Sequence, residues 1–237
     1  ISFYIPADGS MLAAPLYTTH TPIRINSNAD FTSANGVVSG SGTQSDPYII
    51  EGWDINGTGY GYALYIGNTT AYFIVRNNYL HNANGVGSWP FYFDSGLILY
   101  NVQNGKIENN NASGNSGYGI LLSSSSSNII TNNNVFGNSI GGIHLYRSSN
   151  NNITNNRASG NSVTGISLDQ SSNNNYITNN NASGNSRFGI HLTSSSNNNI
   201  TYNKITENKN YGVYIDGWST GNRIHHNNFI NNNGGGK

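Results

Sequence analysis

The stretch Gly119-Ile120-Leu121-Leu122 returns 23 residues later as Gly142-Ile143-His144-Leu145, and again as Gly165-Ile166-Ser167-Leu168. It is preceded by Gly96-Leu97-Ile98-Leu99 and followed by Gly189-Ile190-His191-Leu192 and Gly212-Val213-Tyr214-Ile215. A second apolar mark keeps the same phase at Ile107, Ile130, Ile153, Ile177, Ile200 and Ile224. A third follows five residues later at Ala112, Val135, Ala158, Ala182, Ile205 and Phe229. Three short apolar runs per period, each closed by turn residues, predict one coil of a parallel β-solenoid. The expected fold is therefore all-β: a single-stranded right-handed parallel β-helix of about eight coils, each of three short strands in 23–24 residues. Stacked at about 4.8 Å per coil, it forms a rod of about 40 Å.

Alternation along Gly-Ile-x-Leu sends both aliphatics inward and x outward. Counting three past the second mark, starting from Ile74, gives Asn77, Asn110, Asn133, Asn156, Asn180, Asn203 and Asn227. Counting eight past it gives Asn82, Asn115, Asn138, Asn161, Asn185, Asn208 and Asn232. Asparagine tolerates the left-handed backbone of sharp corners, and stacked amides form ladders, so both columns read as corner structure.

The amino-terminal third breaks the rhythm. Ile74 to Ile107 spans 33 residues, and the surplus is the aromatic run Gly87-Ser88-Trp89-Pro90-Phe91-Tyr92-Phe93-Asp94, expected to be a loop. Residues 1–35 do not follow the repeat and are expected to be a strand or cap segment over the first coil. Residues 36–233 are expected to form the β-helix and 234–237 a Gly-rich tail.

With 8% charged residues and zero formal net charge, the chain has no basic stripe for nucleic acid. It contains no cysteine, so disulfides and thiolate metal sites are excluded. No apolar run is long enough to cross a membrane as a helix. The chain starts at Ile1 with no initiator Met, which fits either a mature protein whose signal peptide was removed or a trimmed module. The expected location is extracellular or at the cell surface.

Three stretches together carry a family resemblance: Pro22-Ile23-Arg24-Ile25-Asn26, then Gly40-Ser41-Gly42-Thr43-Gln44-Ser45-Asp46-Pro47-Tyr48-Ile49-Ile50-Glu51-Gly52-Trp53, then the Asn-rich repeats. Over about residues 20–233 the chain resembles the NosD-like right-handed parallel β-helix repeat proteins, abundant on archaeal surfaces. The resemblance implies a secreted or surface-displayed β-helix, often one module of a larger protein. The family takes its copper-related name from members linked to copper-site maturation. With no Cys and Met11 alone, soft ligands are nearly absent, and copper binding is not carried over. Many β-helix relatives act on polysaccharides, but no catalytic motif of theirs falls on matching positions.

The outward stripe of the first strand offers the best candidate binding face. It carries Tyr118, His144, Tyr146, Asp169, Phe188, His191, Tyr214, Asp216 and Trp218, aromatic rings beside polar groups that suit stacked sugars. Asp169 and Asp216 lie two coils apart, about 9.6 Å between backbones, at the upper end for an inverting carboxylate pair. His144 and His191 are separated by the same distance, too far to share one zinc. His225 and His226 are adjacent on a strand and are expected on opposite faces. Neither a metal nor a cofactor is expected. Of the sequons, Asn56 and Asn68 lie outside the repeat core and are the better glycosylation candidates. Ile1, Phe3, Tyr4 and Ile5 at one end, and Phe229 and Ile230 at the other, are candidate assembly residues, because an open solenoid end templates another strand. Two functions follow: a non-catalytic structural β-helix that self-associates end to end or serves as a module of a larger surface protein, and a polysaccharide-binding or polysaccharide-processing β-helix. Catalysis is the less expected of these.

Overall fold

A computed structural model describes residues 17–85 and 94–233. The chain winds as a right-handed parallel β-helix whose strands form three sheets of eight, nine and nine strands. Sheet I carries the Gly-Ile-x-Leu strands, for example Gly141–Tyr146, Thr164–Asp169 and Phe188–Thr193. Sheet II carries Ile129–Thr131, Asn152–Thr154 and Tyr176–Thr178. Sheet III carries Asn134–Phe136, Arg157–Ser159 and Asn181–Ser183. Each strand pairs in register with its equivalent one coil away, so Ile143 meets Ile166 and Ile153 meets Ile177. One turn could not bury its apolar face alone. Stacking joins the three apolar columns into one core, in which Ile143, Leu145, Ile153, Ala158 and their equivalents are fully buried.

The corners are built by a division of labour between neighbouring residues. The left-handed conformation falls on Asn109, Asn132, Asn155 and Asn179, each one position before a ladder asparagine. The ladder residues themselves do not adopt it. Asn133 donates from Nδ2 to Asn156 Oδ1 at 3.0 Å, and Asn156 does the same to Asn180 at 3.1 Å. The backbone N–H of each also donates to the next Oδ1. Each amide further reaches a core carbonyl of the coil behind it, as Asn156 reaches Ile130. Asn115 to Asn232 forms a second ladder of the same design. A third, running from Asn128 through Asn151, Asn175 and Asn198 to Asn222, closes the corner before sheet II. Beside it the hydroxyls of Ser148, Ser172, Ser195 and Ser219 accept backbone N–H groups in turn. Two of these four columns, those of Asn133 and Asn138, are periodic enough to be predicted from the sequence.

The sequence period misplaces the first rung. Ile107 pairs with Val75, not Ile74, so the ladder begins at Asn78 rather than Asn77. Asn77 is instead the left-handed residue before it. The second column has Ala83 at this coil, where the expected Asn82 takes the left-handed position. The cause is one extra residue between Ile66 and Val75, relative to Leu99 and Ile107. The same corner absorbs the extra residue of a 24-residue coil. Asp169 pairs with Tyr146 at a separation of 23, whereas Ser172 bonds Ser148 at 24, and Gln170 and Ser171 both turn left-handed between them.

Strand pairing reaches further toward the amino terminus than the expected boundary at residue 36. Thr18–His20 joins sheet III and Ile23–Ile25 joins sheet I, because Ile23 and Ile25 alternate inward in step with Leu64 and Ile66. A cap follows, in which Val37–Ser39 runs antiparallel to Tyr48–Glu51 and Phe31 stacks on Tyr48 at 4.6 Å. Ile1, Phe3, Tyr4 and Ile5, most of the aromatic run and the Gly-rich tail lie outside the described residues.

Candidate functional site

The stripe on sheet I divides into two halves. At x, Ile98 and Leu121 point outward yet have no exposure, and they pack with Tyr62, Tyr65 and Tyr100 as a second apolar cluster. His144 continues their column and is 3% exposed, and Ser167 is 5% exposed. The expected open face is thus overlaid along its first half. From Phe188 onward it opens: Tyr211 is 50%, Tyr214 40% and Trp218 81% exposed.

His144 sits beneath Tyr118, with ring centroids 4.3 Å apart and planes within 9°. Its Nδ1 lies 2.7 Å from Ser167 Oγ, and its Nε2 lies 3.8 Å from Asp169 Oδ2. Burial, then the nearby His191, lowers its pKa to about 3, so the ring is neutral at physiological pH. Burial raises the Asp169 carboxyl, with Asp216 adding to the rise and His191 and Thr193 opposing it. Asp169 Oδ1 is enclosed without a partner. Burial also lowers His191, against the pull of Asp169 and Asp216. Tyr118 is pushed up to about 12 by burial and by Asp169.

A pH dependence follows from these shifts. Unfolded His144 takes up a proton below its usual pKa of about 6.5, whereas the folded ring resists until about pH 3. Stability therefore falls as pH drops across that window, by up to about 2 kcal/mol at pH 5. Asp169 acts in the opposite sense, because its raised carboxyl binds a proton earlier when folded, and it offsets part of the loss. Urea titrations at about pH 8 and pH 5 should show a smaller acid loss for His144→Leu, which extends the Ile98–Leu121 column, than for the wild type. Equal losses would place the acid sensitivity elsewhere.

The remaining residues are brought together less uniformly. Phe188 stacks on His191 at 4.8 Å, and Tyr214 lies 5.4 Å from both rings. Tyr146 carries the Arg147 guanidinium 5.1 Å from its ring centroid. Asp216 is committed to a turn: its carboxylate accepts from Ser194 N–H, Trp218 N–H and the Ser219 hydroxyl. It is not a free partner for Asp169. His225 and His226 do not point to opposite faces. His226 turns left-handed past the strand end, which brings the two Nδ1 atoms to 2.7 Å. Asn56 is exposed, with its Oδ1 bound by Thr58. Asn68 is exposed too, but its amide bridges Asn26 and Asn101. Phe229 and Ile230 lie on the last coil, 50% and 41% exposed.

Three parallel sheets closed by amide and hydroxyl ladders define a parallel β-helix protein. The chain belongs to the NosD family, described as periplasmic copper-binding protein, which it matches over residues 16–175 and 92–235. No curated protein matches it in sequence. Among solved structures it is similar to the periplasmic alginate epimerase AlgG, with a TM-score of 0.61 and 20% identity over 77% of this chain and 49% of that one. The Azotobacter vinelandii mannuronan C-5 epimerase AlgE4 A-module gives 0.61 and 18% over 78% and 60%. Pectate lyase Pel9A gives 0.60 and 15% over 82% and 54%. The chain thus spans about half the length of these enzymes, and at such identities the likeness shows the fold alone. The donor set does not fit copper. Cysteine is absent and Met11, the single methionine, lies outside the described residues, among which no three His, Asp or Glu side chains gather around one point.

Proposed function

We propose that this is an exported polysaccharide-binding β-helix whose ligand lies on the open half of sheet I. The observation that carries the reading is the run of exposed rings at Tyr211, Tyr214 and Trp218, beside the half-buried His191. Exposed rings next to hydrogen-bonding groups suit a ligand with apolar faces and polar edges. Export is supported by the periplasmic description of the family and of the alginate epimerase. The polysaccharide class is supported by the alginate epimerases and the pectate lyase that share the fold. Binding is favoured over cleavage because the Asp216 carboxylate is occupied by its turn.

Calorimetric titration with alginate and pectate oligosaccharides tests this. Tyr214→Ala and Trp218→Ala are expected to weaken binding at least tenfold, about 1.4 kcal/mol. Unchanged affinity in both variants would remove sheet I as the site. A structural role, through end-to-end association or as a module of a larger surface protein, is the second reading; Ile224, Phe229 and Ile230 are the exposed apolar residues that a second copy or further chain would cover. Electron micrographs of the same samples separate the two, since rods that lengthen with concentration belong only to the second.

A further inference from the structure

A different face of the prism carries an open groove that the sheet I reading does not use. It has a volume of about 480 Å³ and runs along the helix axis at the edge of sheet III. Its lining includes Phe136, Gly137, Ser159, Gly160, Ser183 and Gly184. Arg157 and Glu207 flank it.

The glycines here are not explained by backbone conformation alone. Gly137, Gly160 and Gly184 have φ of 63–64°. At the corner between sheets II and III the equivalent positions have nearly the same φ, 55–56°, and are filled by Asn132, Asn155 and Asn179. Both corners impose a left-handed residue, and asparagine satisfies it at one of them throughout these coils. At the other, glycine leaves the space above the backbone empty: a Cβ built on Gly137, Gly160 or Gly184 would meet no atom within 4 Å.

The groove also contains groups that lack a partner. Ser159 stands in register with Ser183, and the column continues to Ser113 on one side and Thr206 on the other, interrupted by Phe136. Strand alternation points these side chains outward, because the preceding Ala158 and Ala182 point into the core. Ser113, Ser159 and Thr206 are each only 6% exposed. Neither hydroxyl is among the enclosed partnerless atoms, so the oxygens of Ser159 and of the half-buried Ser183 open onto the groove. The enclosed, partnerless Oδ1 atoms of Asn111, Asn134 and Asn181 in the neighbouring row recur at Asn199 on sheet II and so belong to the coil repeat rather than to the groove. Hydroxyls that no protein group engages are free to exchange water for the polar edge of a ligand.

We propose that this groove is a second binding site, taking a linear hydroxyl-rich glycan laid parallel to the helix axis. The hydroxyls repeat with the coil, about every 4.8 Å, which suits a chain ligand rather than a single small molecule. Phe136 supplies one ring for a sugar face. Arg157 sits where an acidic sugar would be accepted. The site is independent of the sheet I stripe, since the two occupy different sides of the triangular coil, so either stands if the other fails.

Calorimetry with cellohexaose and with an oligogalacturonate hexamer tests the proposal. Gly160→Asn puts into the groove the residue that the other corner already accommodates at this φ, so it blocks the channel while keeping the backbone. It is expected to weaken hexamer binding at least tenfold with an unchanged thermal melt. Paired Ser159→Ala and Ser183→Ala changes, which leave the backbone untouched, are expected to weaken it at least threefold and stand in for the first variant should that one unfold. Tyr214→Ala is expected to leave this component intact. Failure of both hexamers to bind, equal affinity in all groove variants, or loss of all binding in Tyr214→Ala would overturn the proposal. The last of these would leave the sheet I reading standing.

Discussion

Asn156→Ala is expected to cost about 3–5 kcal/mol, a large part of the stability of a domain of this kind. The loss arises from orphaned partners rather than from the side chain's own bulk. Asn156 Oδ1 accepts both the backbone N–H and the Nδ2 of Asn133. Its Nδ2 satisfies the carbonyls of Ile130 and Thr154. All this takes place at a buried corner, where each stranded donor or acceptor costs about 1–3 kcal/mol. Asn156→Asp should be no milder, because its second oxygen would face the Ile130 carbonyl in place of a donor. The control is one residue away. Asn155 is exposed and left-handed at φ 56°, and Asn155→Gly should change stability by only a few tenths of a kcal/mol. Urea denaturation followed by circular dichroism measures both. Similar midpoints for Asn156→Ala and Asn155→Gly would show that the ladder contributes little.

Gly165→Ala is expected to have an effect of the same order for a different reason. Gly165 is not left-handed, so strain in φ plays no part. A Cβ there would stand 2.7 Å from the Gly189 carbonyl oxygen, 2.8 Å from Asn185 Nδ2 and 2.9 Å from the Ala158 carbonyl oxygen. Two of these three are backbone atoms, one on the next coil and one on the strand just before Gly165, and the third is a ladder rung, so none can retreat cheaply. Overpacking typically costs about 1–3 kcal/mol, and fixed neighbours on several sides put this site at or above the upper end. At about 2–4 °C per kcal/mol for a chain of this size, the melting temperature should fall by about 6–12 °C. A calorimetric melt unchanged within 2 °C would show that the coils separate more easily than this packing implies. A Cβ at Gly96, Gly142, Gly165 or Gly189 would meet the carbonyl oxygen of the next coil's glycine, so at these tetrads glycine is a spacing requirement between coils.

The architecture was legible because its causes are periodic. Each inward aliphatic has an equivalent one coil away, and twenty-three residues separate the two in most coils. What the period could not show was the phase of an irregular coil. Ile74 and Val75 are both aliphatic, and only the extra residue after Ile66 decides which faces inward, so Asn77 was read for Asn78. The serine ladder was missed because Ser148 and Ser172 lie in runs of serine, where no single position stands out. The candidate site was legible in content but not in exposure. Outward direction follows from alternation, yet Ile98, Leu121 and His144 are covered by large neighbours on adjacent coils, which alternation does not report. His225 and His226 failed for a local reason, since the strand ends between them. The sheet III groove left a trace in the sequence, the choice of Gly at 137, 160 and 184 where Asn would serve, but it became meaningful only beside φ values from the other corner.

All three asparagine ladders run the same way. From Asn110 to Asn227, from Asn115 to Asn232 and from Asn128 to Asn222, each rung gives one Nδ2 proton to the Oδ1 of the coil ahead, and every Oδ1 faces the coil behind. Carboxamide dipoles stacked head to tail add as peptide dipoles do along an α-helix. The prism is accordingly a polar rod, with its electropositive pole toward the coil of Asn222, Asn227 and Asn232. This polarity comes from neutral side chains and adds to the field of the ten Lys and Arg and ten Asp and Glu side chains.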